Sequence, residues 1–226
     1  MISVSSDPAP PPARIRRSNR RLIASAVCFA IFAALATVVR QKPDLTADTS
    51  MTLRLQRRRH PHLTRVMSLV SWLGFRPQSL LLPAALVGGS WLLGRPRDAR
   101  YLIGAWAASF VSYTTKRLVM RPRPGGTEIV VVDAGLRDSS FPSGHVLHYT
   151  VFWGFVCYIW SSAVRDTSAR RIPIAIVGAL ISTVGISRVY LGHHWLTDVI
   201  ASYSLGVGLL LSLIGLHTRA PKHRIH

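Results

Sequence analysis

Three clusters of residues in this 226-residue chain combine types that packing in an apolar interior does not explain. The first is Lys116, then six residues, then Arg123 and Pro124. The second is Phe141-Pro142-Ser143-Gly144-His145. The third is Ser187-Arg188, five residues, His194, three residues and Asp198. Lys116, Arg123 and Arg188 supply three cations, and a guanidinium offers a planar fork of donors matched to phosphate oxygens. Gathered round one group, they would neutralise the charge that builds on the equatorial oxygens during phosphoryl transfer. Ser143 and Gly144 stand just ahead of an expected helix start, where a hydroxyl and backbone N–H groups favour an anion. His194 and Asp198 are four apart and share one face if a helix begins there. The carboxylate then accepts the imidazole N–H and leaves the other ring nitrogen free to attack phosphorus. His145, arriving from a different segment, is the candidate acid that protonates the departing oxygen.

The elements that must position these residues are apolar runs. Leu22 to Val39 is an unbroken stretch of 18 uncharged residues, about 27 Å long as a helix, close to the thickness of a bilayer core. Further runs are Ser79 to Leu93, Tyr101 to Thr115, Val146 to Ala163, Ile172 to Ile186 and Val199 to Leu216. They predict an all-α fold, an integral membrane bundle of six transmembrane helices over residues 22–216. Val66 to Phe75 is too short to cross and is interrupted by Arg76 and Pro77, so an interfacial or re-entrant helix is expected within about residues 50–75. Residues 1–21, with five arginines from Arg14 to Arg21, read as a basic disordered tail, and residues 217–226 as a second basic tail. In this scheme Lys116 closes the third span, His145 opens the fourth, Arg188 closes the fifth and Asp198 opens the sixth. All four ends fall on one face of the membrane, where a headgroup can react while its tail stays in lipid.

Composition narrows the function classes. The chain is 49% hydrophobic and carries 28 Lys and Arg against 9 Asp and Glu, a net charge of +19. The basic residues cluster between the apolar runs, as they do in loops that meet anionic headgroups, which argues against nucleic acid as a partner. Counting them by side gives a tie: half of the 28 lie on each face of the six-span scheme. The arginines directly ahead of the first span favour cytoplasmic tails, which puts the site on the extracytoplasmic side of the plasma membrane. Cys28 and Cys157 both sit in apolar runs and read as small core residues.

Several residues near the clusters have plainer readings. Arg117, Arg121 and Arg137 are read as anchors that extend from helix ends to the interface. His193 points away from His194 and takes a structural or gating role, and His148 is read as a pocket or interhelix hydrogen bonder. A metal site built from His145, His193, His194 and Asp198 is the main rival. A divalent ion does not account for three cations crowding the same place, so neither metal nor other cofactor is expected.

The clusters resemble the motifs of the type 2 phosphatidic acid phosphatases, or lipid phosphate phosphatases: K-x-x-x-x-x-x-R-P, P-S-G-H and S-R-x-x-x-x-x-H-x-x-x-D. Lys116, Arg123 and Pro124 match the first motif, Pro142 to His145 the second, and Ser187, Arg188, His194 and Asp198 the third. The motifs run in order, with 17 residues between Pro124 and Pro142 and 41 between His145 and Ser187. The resemblance covers roughly residues 100–216. It implies a six-helix membrane phosphatase acting on a lipid phosphomonoester or lipid pyrophosphate, with a phosphohistidine on His194 and no metal. The family's soluble branches are excluded by the long apolar runs. A phosphotransferase using the same intermediate, and a non-catalytic transporter of anionic lipid, are the alternatives.

Overall fold

The computed structural model describes the backbone of residues 12–132 and 138–219, and the side chains from residue 19 onward within them. The described chain is helical throughout, with no strand. Helix α1 (Pro12–Gln41) leads to α2 (Thr46–Gln56), α3 (Pro61–Ser71) and a short 3-10 turn, Trp72–Gly74. Next come α4 (Gln78–Leu92), α5 (Pro96–Trp106) and α6 (Ala108–Val119). After the loop carrying the first two clusters, α7 (Gly144–His148), a π-helical turn (Tyr149–Trp153) and α8 (Gly154–Ala163) run on without a break. Helices α9 (Thr167–Tyr190) and α10 (Leu196–Arg219) complete the bundle.

Among the described residues, three helical segments are long and apolar enough to cross a membrane: Asn19–Gln41, Thr167–Tyr190 and Leu196–Arg219. The remaining expected spans are built from shorter pieces. α4 has 15 residues with Pro83 inside it, and the third run is divided at Ala107 between α5 and α6. The expected disordered tail is corrected in part: the helix starts at Pro12, so the arginines from Arg14 to Arg21 lie within its first turns. Residues 217–219 likewise belong to α10. Residues 1–11, 133–137 (with Arg137) and 220–226 lie outside the described residues.

Helix α1 packs along α10 through small residues. The Ser25 hydroxyl donates to the Gly208 carbonyl at 2.8 Å and lies 2.8 Å from the Ser212 hydroxyl. The Phe29 ring rests on Gly208, where a Cβ would stand 2.8 Å from Cε1. Such close approach is how helices associate when lipid removes the hydrophobic drive between them. Leu147, Val151, Phe152 and Phe155 are fully buried at the centre, whereas Leu69, Leu92 and Phe110 are 71, 88 and 67% exposed. Apolar surface of that extent would be a liability in water and is the normal outer face of a protein in hydrocarbon.

The segment expected to lie along the interface is docked more deeply than that. Asp48 and Thr52 of α2 are buried, at 1% and 0% exposure. Ser71, ending α3, lies 2.7 Å from the Ser187 hydroxyl, and the Tyr149 hydroxyl donates to the Val70 carbonyl at 2.6 Å. These contacts tie α3 to the helices that carry the second and third clusters.

Candidate active site

His194 sits in the loop of residues 191–195 between α9 and α10, and 2% of it is exposed. Its amide donates to the Arg188 carbonyl at 3.2 Å, as does that of His193 at 3.0 Å. The tight turn uses Gly192 at φ +71°, where a Cβ would stand 2.6 Å from the Val130 carbonyl oxygen, so only glycine passes under this strand of loop. Imidazole Nδ1 lies 2.6 Å from the Ser140 carbonyl, which can only accept, so Nδ1 carries the hydrogen and Nε2 the lone pair. Here the sequence expectation is corrected. Asp198 stands 3.6 Å from Nδ1, beyond hydrogen-bond range, because its oxygens are taken elsewhere. Oδ2 accepts the Trp195 N–H at 2.9 Å and Oδ1 accepts Arg121 at 2.7 Å. The helix begins at Leu196, so Asp198 is in its first turn and reaches back to the capping residue, the reciprocal half of a capping box.

Arg123 stands in front of His194, its Nη1 3.5 Å from Nε2 and 2.6 Å from the His193 carbonyl. Burial first, and then the positive charges of Arg123, Lys116 and Arg188, hold His194 well below the ordinary histidine range. The ring is therefore a neutral base facing cations. Lys116, in the last turn of α6, donates to Asp138 at 2.8 Å, and Arg123 donates to the other oxygen of that carboxylate at 2.5 Å. Those two partners lower Asp138 to about 2, against the burial that raises it. A carboxylate thus lies between the two cations that the sequence assigns to phosphate. A cavity of about 650 Å³ opens on this pair, lined by Tyr113, Lys116, Arg117, Met120, Arg123 and Asp138 among others. The histidines do not line it and lie behind Arg123.

Arg188, in the last turn of α9, is 1% exposed. Its guanidinium lies 5.3 Å above the Phe75 ring, and Nη2 meets His193 Nδ1. Nε and Nη1 are buried without a protein partner. His193 is the brace between Arg188 and the Val132 carbonyl, which gives the structural role expected of it. His145 opens α7, packed edge-on against Phe75 with ring centroids 4.6 Å apart, and its Nε2 is buried without a partner. Ser143 is fully buried; its N–H donates to Ser202 at 2.7 Å, so that amide is not free for an anion, while its hydroxyl has no partner. A Cβ on Gly144 would make only an ordinary 3.5 Å contact with Ser112. His148 stacks on Phe152, centroids 5.4 Å apart, and its Nε2 makes no interhelix bond.

Four residues escaped the sequence reading. Arg121 reads from sequence as an interfacial anchor, yet it is 1% exposed and paired with Asp48 and Asp198, each at 2.7 Å. Asp48 lies in a segment without a motif. Ser140 contributes a backbone oxygen, which no side-chain pattern reveals. Gly74 makes room for His145, whose Cδ2 would be 2.3 Å from an added Cβ. Among the described residues, no group of three His, Cys, Asp or Glu side chains is placed to hold a metal ion.

The chain is similar in sequence and fold to several known proteins. Phosphatidylglycerophosphatase B of Bacillus subtilis is 26% identical over 200 residues, 87% of this chain and 96% of that protein. Decaprenylphosphoryl-5-phosphoribose phosphatase of Mycobacterium tuberculosis is 31% identical over 137 residues, 58% of this chain and 69% of that protein. The crystal structure of the transmembrane PAP2 type phosphatidylglycerolphosphate phosphatase from Bacillus subtilis superposes with a TM-score of 0.74 at 25% identity, covering 88% of this chain and 98% of that one. LpxE of Aquifex aeolicus, at 21% identity and a TM-score of 0.58 over 77% of this chain and 98% of its own, shares the fold. The family model described as the PAP2 superfamily matches residues 98–222, and it takes in all three clusters. With over half of its length so matched, the chain belongs to the PAP2 superfamily.

Proposed function

We propose that this protein is a metal-independent membrane phosphatase that hydrolyses a lipid phosphomonoester or lipid pyrophosphate through a phosphohistidine on His194. The observation that carries the reading is His194 itself, a buried imidazole with Nδ1–H fixed on Ser140 and Nε2 turned toward Arg123. The relatives named above are phosphatases of lipid-linked phosphates. In this reading Lys116, Arg123 and Arg188 hold the phosphoryl oxygens, with the Ser143 hydroxyl and the Gly144 backbone beside them. Nε2 attacks phosphorus and the bond from phosphorus to the lipid oxygen breaks. His145, protonated under the influence of the bound phosphate anion, gives its proton to that oxygen. A water molecule then loses a proton to His145 and attacks phosphorus, the P–N bond breaks, and inorganic phosphate leaves. Asp138 must yield Lys116 and Arg123 to the substrate.

Purified protein in mixed micelles should release phosphate from at least one of phosphatidylglycerophosphate, phosphatidic acid and a polyprenyl pyrophosphate, undiminished by EDTA. An acid-labile phosphoenzyme should be trapped on rapid quenching. No release across that panel, with headgroup binding intact, would favour a transporter of anionic lipid. Loss in EDTA restored by a single divalent metal would overturn the metal-free mechanism. Phosphate recovered on an added lipid or sugar acceptor in place of water would make the protein a phosphotransferase.

The six-span arrangement belongs to the same proposal, with α5 and α6 forming one span and α7 to α8 another. Both tails are then cytoplasmic and the site faces outward. A cysteine placed at Thr127, in a Cys28→Ala, Cys157→Ala background, should react with a membrane-impermeant thiol reagent in intact cells. Reaction only after the membrane is opened would put the site on the cytoplasmic face.

A further inference from the structure

A buried charged group of Arg121, Asp48 and Asp198 lies behind the site, and two of its members, Arg121 and Asp48, are fixed positions of no motif. Arg121 has five N–H donors and all are engaged. Nε and Nη2 donate to the Pro43 carbonyl at 3.0 and 2.8 Å, Nη2 also to Asp48 at 2.7 Å, and Nη1 to Thr197 Oγ1 and Asp198 Oδ1 at 2.6 and 2.7 Å. Asp48 in turn holds the start of α10: Oδ1 accepts the Thr197 N–H at 2.9 Å and Oδ2 accepts its hydroxyl at 2.6 Å. Side-chain exposure is 0% for Arg121, 1% for Asp48 and 0% for Asp198. With Oδ1 held by Arg121 and Oδ2 by Trp195, Asp198 cannot turn, and it stays 3.6 Å from His194 Nδ1.

Charge gives the arrangement a purpose. Arg121 and Asp198 alone would cancel. Asp48 adds a second carboxylate, so the group has a formal charge of −1, with Asp198 3.6 Å from the imidazole nitrogen opposite the attacking one. When Nε2 bonds to phosphorus, the ring gains positive charge, and a fixed anion nearby stabilises that state more than the neutral ground state. Stability is a weak reason to keep such a group, since buried ion pairs replaced by apolar residues are often neutral in effect or better.

We propose that Asp48 and Arg121 are positioning residues for phosphoryl transfer, acting through Asp198 to fix and electrostatically bias the His194 nucleophile. This rests on the phosphohistidine reading above. It also brings α2 into the catalytic unit, although Asp48 lies fifty positions before residue 98, where the family match begins.

The test uses purified full-length protein and two conservative variants. Asp48→Asn keeps the size and one acceptor but removes the charge, and Arg121→Lys keeps the charge but removes the fork. In both, kcat and the rapid-quench rate of phosphohistidine formation per folded site should fall together by about 10- to 100-fold. KM should stay within about threefold, because the cations that bind substrate are untouched. Asp48→Glu provides a third reading should either variant fold poorly. Unchanged phosphorylation rates in the variants, with losses confined to the fraction of folded protein, would make the group structural and overturn the proposal. Absence of a phosphohistidine in the wild type would instead overturn the parent reading, and this one with it.

Discussion

Replacing His194 with alanine is expected to lower kcat/KM at least about a thousandfold, some 4 kcal/mol of lost transition-state stabilisation, while expression and helical content stay near wild type. The effect is large because no neighbour can substitute. His145 lies on another helix against Phe75, and both nitrogens of His193 are engaged with Arg188 and Val132. Packing losses should be small, since the ring's firm protein contact is the bond to Ser140. His194→Asn separates the two roles: it restores a polar group of similar size but cannot form the phosphoenzyme. A variant within tenfold of wild type would remove His194 from the mechanism. Its depressed pKa also gives a sign for stability. The folded state resists protonation of this ring across the ordinary histidine range, where the unfolded chain accepts the proton. This contribution is therefore fully present above the ordinary histidine range, about 6.5, and declines as pH falls below it. The check is denaturation at several pH values with His194→Asn as the reference. Equal pH dependence in the two proteins would refute it.

The second large effect is expected at Arg188. Nε and Nη1 are buried and have no protein partner, while Phe75 and His193 hold the guanidinium in place. A fixed fork with two unengaged donors binds an oxyanion without rearranging, and each charge-assisted bond contributes about 1.5–3 kcal/mol. Arg188→Ala should therefore lower kcat/KM by about 10²- to 10⁴-fold. Arg188→Lys should recover little, because an ammonium cannot present two parallel donors and also meet His193. Full recovery with lysine would show that only the charge matters at this position. The comparison should be made with substrate well below KM, so that the loss reports on both binding and the transition state.

The placement of the motif residues was legible in the sequence more readily than what supports them. Lys116, His145, Arg188 and Asp198 stand at helix ends facing one loop cluster, as the apolar runs and the spacing predict. Asp198 departs from its expected pairing with His194 for a physical reason. Spacing by four describes a helical face, but the helix starts after His194, and a loop histidine can turn to a backbone carbonyl that carries no sequence signal. Arg121 was misjudged because a basic residue near a span end usually reaches for headgroups. Here Asp48, 73 positions away, draws it inward. Such a pairing belongs to tertiary structure alone. Gly74 was equally invisible, since its need arises from the His145 ring packed against it. The division of one expected span at Ala107 and the extension of the first helix back to Pro12 moved boundaries without altering which end of each run faces the site.

The pairing of α1 with α10 bears on how the protein is made. Ser25 and Ser212 are 187 positions apart, and Asp48 meets Thr197 across 149. At a synthesis rate of about 5–20 residues per second, the first helix waits roughly 10–40 s in the bilayer before its partner emerges. During that interval α2 has no floor to rest on and the loop bearing His194 has not been made. His194 thus gains its setting only when the last helix is in place. A nascent or truncated chain would lack that setting even with its first five apolar runs already made.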